Sequence, residues 1–170
     1  MAKTKYDKYF IEYDPSRWPN ERRPVMSRME DSVARGSHFY LVHWVLPGFE
    51  SPLGTHKYAG HPPHIHKDAE LLFHIGTDPQ NPMDLGAEVE MYLGPEMERH
   101  VFNRTTCVWI PPNFIHSPWR PIKTTRPWIF IEVNQGPRHT EKSYRQLLPR
   151  EAREKTDWSR WKDEGYEIPA

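Results

Sequence analysis

Cysteine is almost missing from this 170-residue chain, and an excess of charge of either sign is missing altogether. The single Cys107 excludes an internal disulfide, and the expected setting is the cytoplasm. Twenty-three basic residues balance 23 acidic ones, so no excess of positive charge draws the chain to nucleic acid or to a membrane surface. No apolar run approaches the length of a membrane span, and the opening MAKTKYDKYF lacks the apolar centre of a signal peptide. Internal repeats, low-complexity blocks, a glycine-rich phosphate loop and an HExxH pair are absent too. The length suits one domain with a core of its own.

Proline and aromatic residues are abundant, with 18 prolines and seven tryptophans. Proline at this density disfavours a mostly helical fold and suits short strands joined by turns. Among these, the stretch from Gly60 to Gly76, GHPPHIHKDAELLFHIG, carries the densest chemistry. Successive side chains of a strand point to opposite faces, so His64 and His66 project the same way and can converge on one ion. Glu70 has the same parity, but six residues of extended chain would carry it roughly 20 Å away, whereas metal bonds to nitrogen and oxygen are about 2 Å long. A turn near Lys67-Asp68-Ala69 is therefore expected, giving a hairpin whose two arms both supply ligands. A second segment, TTCVWIPPNFIHSPWR over 105–120, reads as a strand, a Pro-Pro-Asn turn and a strand opening with His116.

These two segments resemble the paired motifs of the cupin superfamily of small β-barrel proteins. The first motif, glycine, H-x-H, glutamate, glycine, is matched by Gly60, His64, His66, Glu70 and Gly76; the second is matched by Pro111 and His116. The spacer before His64 is short and Gly76 comes one residue early. Thr105 and Asn113 stand where the second motif has glycine, and Arg120 where it ends in asparagine. Asparagine tolerates the left-handed conformation that glycine supplies in a turn. The motifs span 60–120, and flanking strands extend the likeness over 36–135. The resemblance implies an all-β jelly-roll barrel of antiparallel strands with one divalent transition metal per chain on His64, His66, Glu70 and His116. Iron is the first expectation; manganese, nickel, cobalt, copper and zinc suit the same donors.

Around that barrel, 1–35 reads as an arm rich in charge and aromatics, with Tyr6, Phe10, Tyr13 and Trp18 packing across the barrel or onto a second subunit, and Met26 to Val33 as a short helix. His38 to Leu46, HFYLVHWVL, is a strand apolar on both faces, as a dimer interface or a sandwiched sheet requires; His38 and His43 on it read as structural or exposed. His56 and His61 fall in the turn-rich run before the first motif, over the barrel mouth or in solvent. His74 shares the parity of Glu70 and is a site residue or a satisfied core histidine. A turn-rich insertion, 77–86, precedes strands at Ala87 to Leu93 and Arg99 to Asn103; Glu88, Glu90 and Tyr92 share one face of the first, toward the cavity or toward solvent. Cys107 reads as a buried small residue rather than a nucleophile. Tyr92, Phe114, Trp119 and Arg120 are the candidate substrate contacts, Arg120 as the guanidinium and Trp119 as the flat wall that a small organic anion wants. A last barrel strand covers Trp128 to Val133. The charged tail, 136–170, reads as a second peripheral arm with a short helix near Glu141 to Leu148, interrupted by Pro149.

Four protein ligands leave two open positions on an octahedral ion. The first expectation is a dioxygenase whose substrate chelates the metal. The second is a Lewis-acid isomerase, lyase or decarboxylase, for which His61 and His74, with Glu88, Glu90 and Tyr92, are candidate acids and bases. The third is a barrel that binds a small ligand without turning it over. A small-molecule substrate and a twofold homodimer complete the expectation.

Overall fold

The computed structural model describes residues 4–17, 21–49, 61–155, 158 and 163–166. The expected motif glycine Gly60, His56 and Trp18 lie outside them. Ten strands follow in order: β1 (Val25–Met29), β2 (Phe39–Val45), β3 (His64–Ile65), β4 (Glu70–Gly76), β5 (Asp84–Leu93), β6 (Glu98–Arg104), β7 (Thr106–Ile110), β8 (His116–Thr124), β9 (Trp128–Asn134) and β10 (Lys142–Ser143). Among the described residues the one α-helix, α1 (Arg150–Lys155), comes after them, and single 3-10 turns stand at Asp7–Tyr9, Pro15–Arg17 and Arg145–Leu147. The strands form two five-stranded antiparallel sheets, ordered β1-β2-β9-β4-β7 and β10-β3-β8-β5-β6. This is the all-β double-sheet barrel that the cupin resemblance implies. Among the described residues, no helix is long and apolar enough to cross a membrane.

The alternation along the central strands explains why the sheets face each other. In β2, Phe39, Leu41, His43 and Val45 are buried; in β4, Glu70, Leu72 and His74 are; in β9, Trp128, Phe130 and Asn134 are. Val45, Leu72, Val89, Met91, Ile110 and Trp128 meet between the sheets as one cluster. Fully burying one such side chain contributes about 1.5–3 kcal/mol. Gly76 ends β4 where a Cβ would stand 2.2 Å from the carbonyl oxygen of Asp84, so only glycine lets β5 begin this close. Asn113 adopts a left-handed φ of 58°, as expected for the residue standing in for glycine in the turn before β8.

Several expectations are corrected. Met26 to Val33 holds no helix: β1 pairs with β2 as an edge strand. The segment before Ala87 is not all turn, since β5 starts at Asp84. The first-motif hairpin does not form. Instead β3 lies in one sheet and β4 in the other, and the chain crosses between sheets from His66 to Glu70. Cys107 is exposed, because β7 edges its sheet and turns that side chain outward. In the tail, Lys142–Ser143 pairs with β3 as β10, a single 3-10 turn at Arg145–Leu147 stands within the expected 141–148, and an α-helix resumes after Pro149. Proline lacks the amide hydrogen that a first helical turn leaves unpaired anyway.

The outward face of the first sheet is apolar. Register aligns Tyr40, Val133, Leu71 and Trp109 in one row, and Val42, Ile131, Phe73 and Cys107 in the next. Strand β2 is thus apolar on both faces as read, but its outward Tyr40, Val42 and Trp44 are only partly covered by this chain.

Candidate metal centre

The crossing between sheets assembles the site. His64 on β3 stands opposite His116 on β8, and Glu70 enters from the facing sheet at the start of β4. The turn before β8 holds the linker in place, with the Asn113 amide donating to the His66 carbonyl at 2.8 Å. His64 Nε2 lies 3.2 Å from His66 Nε2, His66 Nε2 lies 3.4 Å from Glu70 Oε1, and His116 Nε2 lies 3.1 Å from Glu70 Oε2. All four side chains are buried. Atoms bound at about 2.1 Å to one ion stand roughly 3.0–3.4 Å apart in octahedral or tetrahedral geometry; the three histidines lie close enough to share such an ion, and Glu70 borders them through both of its oxygens.

Which nitrogen bears the proton follows from the other side of each ring. Nδ1 of His64 donates to the Pro62 carbonyl at 2.7 Å, Nδ1 of His116 to that of Phe114 at 3.0 Å, and Nδ1 of His66 to that of Thr140. A carbonyl only accepts, so each Nδ1 carries hydrogen and each Nε2 faces inward. Burial keeps the rings of His64 and His66 neutral, the first well below its ordinary value and the second down to about 4. Burial alone would push Glu70 up, but the His116 hydrogen bond, both neighbouring rings and the Asn134 amide, which donates to Oε1 at 2.9 Å, hold it at about 2. That carboxylate overrides the effect of burial on His116 and raises it. Two neutral lone pairs and a carboxylate converging in a dry interior repel one another unless a cation lies among them. The donor set fits a divalent transition metal.

A second group adjoins this one. His61 Nδ1 lies 3.4 Å from Glu141 Oε2, and its ring centroid is 4.7 Å from that of His64. His61, His64 and Glu141 lie close enough to share a cation themselves. Burial pushes Glu141 up to about 7, and it holds His61 well below its usual value. His139 closes the rim, 3.2 Å from Glu164 Oε2 and with its ring 5.0 Å from that of His66.

The other expected site residues are placed differently. His74 is sealed in the core among Phe102, Trp128 and Phe130, beyond Leu72 from Glu70, and accepts the Trp119 indole N–H at 2.8 Å. It is a core histidine, bonded through Nε2, rather than a neighbour of the His64, His66, His116 and Glu70 cluster. Arg120 and Glu90 are paired in register and share a face; their partners Trp119 and Met91 face the core, so Arg120 faces away from it. There Arg120 and Arg99 both donate to Glu90, and Tyr92 adjoins Arg99. Arg120, Glu90 and Tyr92 therefore form a polar cluster on the outer face, while Glu88 is solvated. Phe114 is a half-exposed turn residue that serves the centre through its carbonyl. Trp119 alone of the four candidate contacts faces the interior.

The arginine that does face the interior is Arg23, just ahead of β1. It donates to His43 Nε2 from Nη2 at 2.6 Å and lies over Trp119, Phe130 and Phe49 at 5.3, 5.6 and 5.8 Å. Glu132, Asn134, Thr140 and Glu141 also went unread. For Glu132 a signal existed: in WIFIEV the parity of Trp128 and Phe130 carries Glu132 inward.

No family model matches the chain, and no curated protein does. Solved structures of oxalate decarboxylase are similar in shape. One is a point mutant of the Bacillus subtilis enzyme, at 15% identity and a TM-score of 0.49 over 84% of this chain and 33% of that one. Another, a study of the Mn(II) centres of that enzyme, gives 16% and 0.49 over 81% and 32%. The Lactobacillus farciminis enzyme with formate gives 15% and 0.47 over 74% and 32%. The chain spans about a third of the length of these proteins.

Proposed function

We propose that this chain is a cupin-type, metal-dependent enzyme that holds one divalent ion on His64, His66, His116 and Glu70 and acts on a small organic acid as a lyase, decarboxylase or isomerase. The observation that carries this reading is the pair His61 and Glu141, a proton-bearing couple set directly beside the four metal-facing groups. A bound ion would act as a Lewis acid on a substrate carbonyl or carboxylate oxygen. The chain's own residues do the rest. Asn134 and the three carbonyls fix the donors, and the apolar wall of Trp119 and Phe130 excludes water. Glu141, which gains and loses its proton near neutrality, gives or takes a proton at Oε2 through His61. A dioxygenase whose substrate chelates the ion needs no such couple. Decarboxylation, the reaction of the oxalate decarboxylases, is one member of the proposed class. We also propose that two chains associate through the outward apolar face of the first sheet.

Elemental analysis of protein purified anaerobically without a chelating tag, together with oxygen uptake and carbon dioxide release on a panel of small acids, tests the reading. Stoichiometric metal with turnover and no oxygen uptake is expected. Glu141→Gln should then lower kcat about 10²-fold with metal content intact, the scale of a lost general acid or base. Stoichiometric iron with substrate-dependent oxygen uptake would restore the dioxygenase, and protein without metal would leave a binding barrel.

A further inference from the structure

The sequence offers Arg120 as the guanidinium for a small anion, and the structure turns Arg120 outward and Arg23 inward. We infer that Arg23 is the carboxylate anchor of the barrel interior, so that the ligand is an organic acid reaching from Arg23 past Glu132 toward His64, His66 and His116. Which end of the acid meets the ion rests on the function proposed above; the anchor itself does not.

Placement carries the argument. Arg23 approaches from the segment before β1, which the sequence assigns to a peripheral arm, yet its guanidinium lies against Trp119, Phe130 and Phe49 in the interior. A guanidinium is planar and weakly hydrated, so aromatic walls hold it in place, and its fork of five N–H groups can serve a carboxylate besides the histidine that orients it. His43 orients it: Nδ1 donates to the Trp44 carbonyl at 3.3 Å, leaving Nε2 to accept from Arg23 Nε at 2.9 Å and Nη2 at 2.6 Å. Burial lowers His43 well below its ordinary value and the adjacent arginine charge lowers it further, so the ring stays neutral and remains an acceptor.

The axis of the barrel supplies the direction. Register sets Glu70 opposite Asn134, Leu72 opposite Glu132 and His74 opposite Phe130, with His43 at the Phe130 level. The Arg23 partner is thus four residues, roughly 13 Å of strand, from the level of the metal-facing groups. The arginine side chain covers part of that distance, and its charge is felt both by Glu132 and by His61. A five-carbon diacid or a ring acid suits the remainder better than a two-carbon diacid does. Glu132 lies between the two ends. Burial and the nearby Glu70 push its carboxyl upward, toward the neutral form that does not repel an incoming anion.

The test is titration calorimetry on the full chain as purified with its metal, using glutarate, its neutral diamide glutaramide, and oxalate. Glutarate should bind at least tenfold more tightly than glutaramide. Arg23→Gln should weaken glutarate at least tenfold and leave oxalate, a chelator that needs only the ion, within threefold; Arg23→Lys should fall between. Glu132→Gln, which replaces a neutral acid by a neutral amide of the same shape, should leave glutarate within threefold. Equal affinity for glutarate and glutaramide would overturn the anchor, and so would loss of both acids in parallel in Arg23→Gln, the mark of a merely structural arginine. Should Arg23→Gln fail to fold by circular dichroism, Arg23→Lys decides, and unchanged glutarate affinity there counts against the anchor. Metal content of the same samples separates the two ideas: wild-type protein without metal sinks the proposed function while the glutarate to glutaramide ratio still reads Arg23.

Discussion

His74 illustrates how a residue of the right type and parity can serve the core and not the site. It is 0% exposed, ringed by aromatic side chains, and accepts the Trp119 N–H. Burial pushes it down to about 3, whereas an unfolded histidine titrates near 6.5. The unfolded chain therefore binds more protons than the folded one between these values, so stability is complete above the unfolded value and falls as pH drops below it. At pH 5 the loss from this residue alone is about 2 kcal/mol, at 1.36 kcal/mol per unit. Urea unfolding of wild type and His74→Leu across pH 5–7 checks this. The variant should be less stable at pH 7, through the lost indole partner, and less acid-sensitive below pH 6. An identical pH slope in both proteins would place the acid sensitivity elsewhere. Burial lowers His64, His66 and His116 alike; Glu70 raises the last two, and only at His116, where a hydrogen bond adds to its charge, does the carboxylate win.

Among the elements, β8 does the most positioning. Between Met91 and Leu93 of β5 the register slips, so His116 faces Leu93 and Trp119 faces Met91, three residues against two. Strict alternation would send His116 and Trp119 to opposite faces; the bulge lets both look inward. The outward face of the first sheet works differently, as a surface of aligned apolar rows ending in Trp109, which is 59% exposed. The proposed dimer places a second copy there. Sedimentation velocity at micromolar concentration should find a dimer in wild type. Trp109→Glu should raise its dissociation constant about thirtyfold, as removal of a tryptophan hot spot worth about 2 kcal/mol does. A wild-type monomer would refute the assignment. The strands, the two motif segments and the parity of His64, His66, Glu70 and His116 were legible because period and residue type are local. The rest was not. A hairpin and a crossing between sheets place Glu70 equally near His64, and only the pairing of β4 with β9 and β7 distinguishes them. The bulge that turns His116 and Trp119 to one face is set by pairing with β5, and Arg23 and Thr140 reach the interior through contacts far away in sequence. Helix at 26–33 was a weak local preference that pairing with β2 overrode.

At the scale of the molecule, the four metal-facing groups do not belong to one piece of structure. His64 and His116 come from one sheet and Glu70 from the other, His66 from the crossing between them, and the carbonyl that fixes His66 from the C-terminal segment that returns over the barrel as β10. An ion held this way joins parts of the chain that separate only when the barrel opens. Its release is then governed by an opening rate rather than by the strength of four bonds. Protein loaded with manganese and challenged with excess zinc should exchange over hours under native conditions, and within minutes once urea brings the barrel near its unfolding midpoint. Exchange within seconds in native buffer would contradict this. Selectivity would accordingly have a history, since copper and zinc win any contest fought at equilibrium and a barrel that closes before equilibrium keeps whichever ion was at hand as it folded.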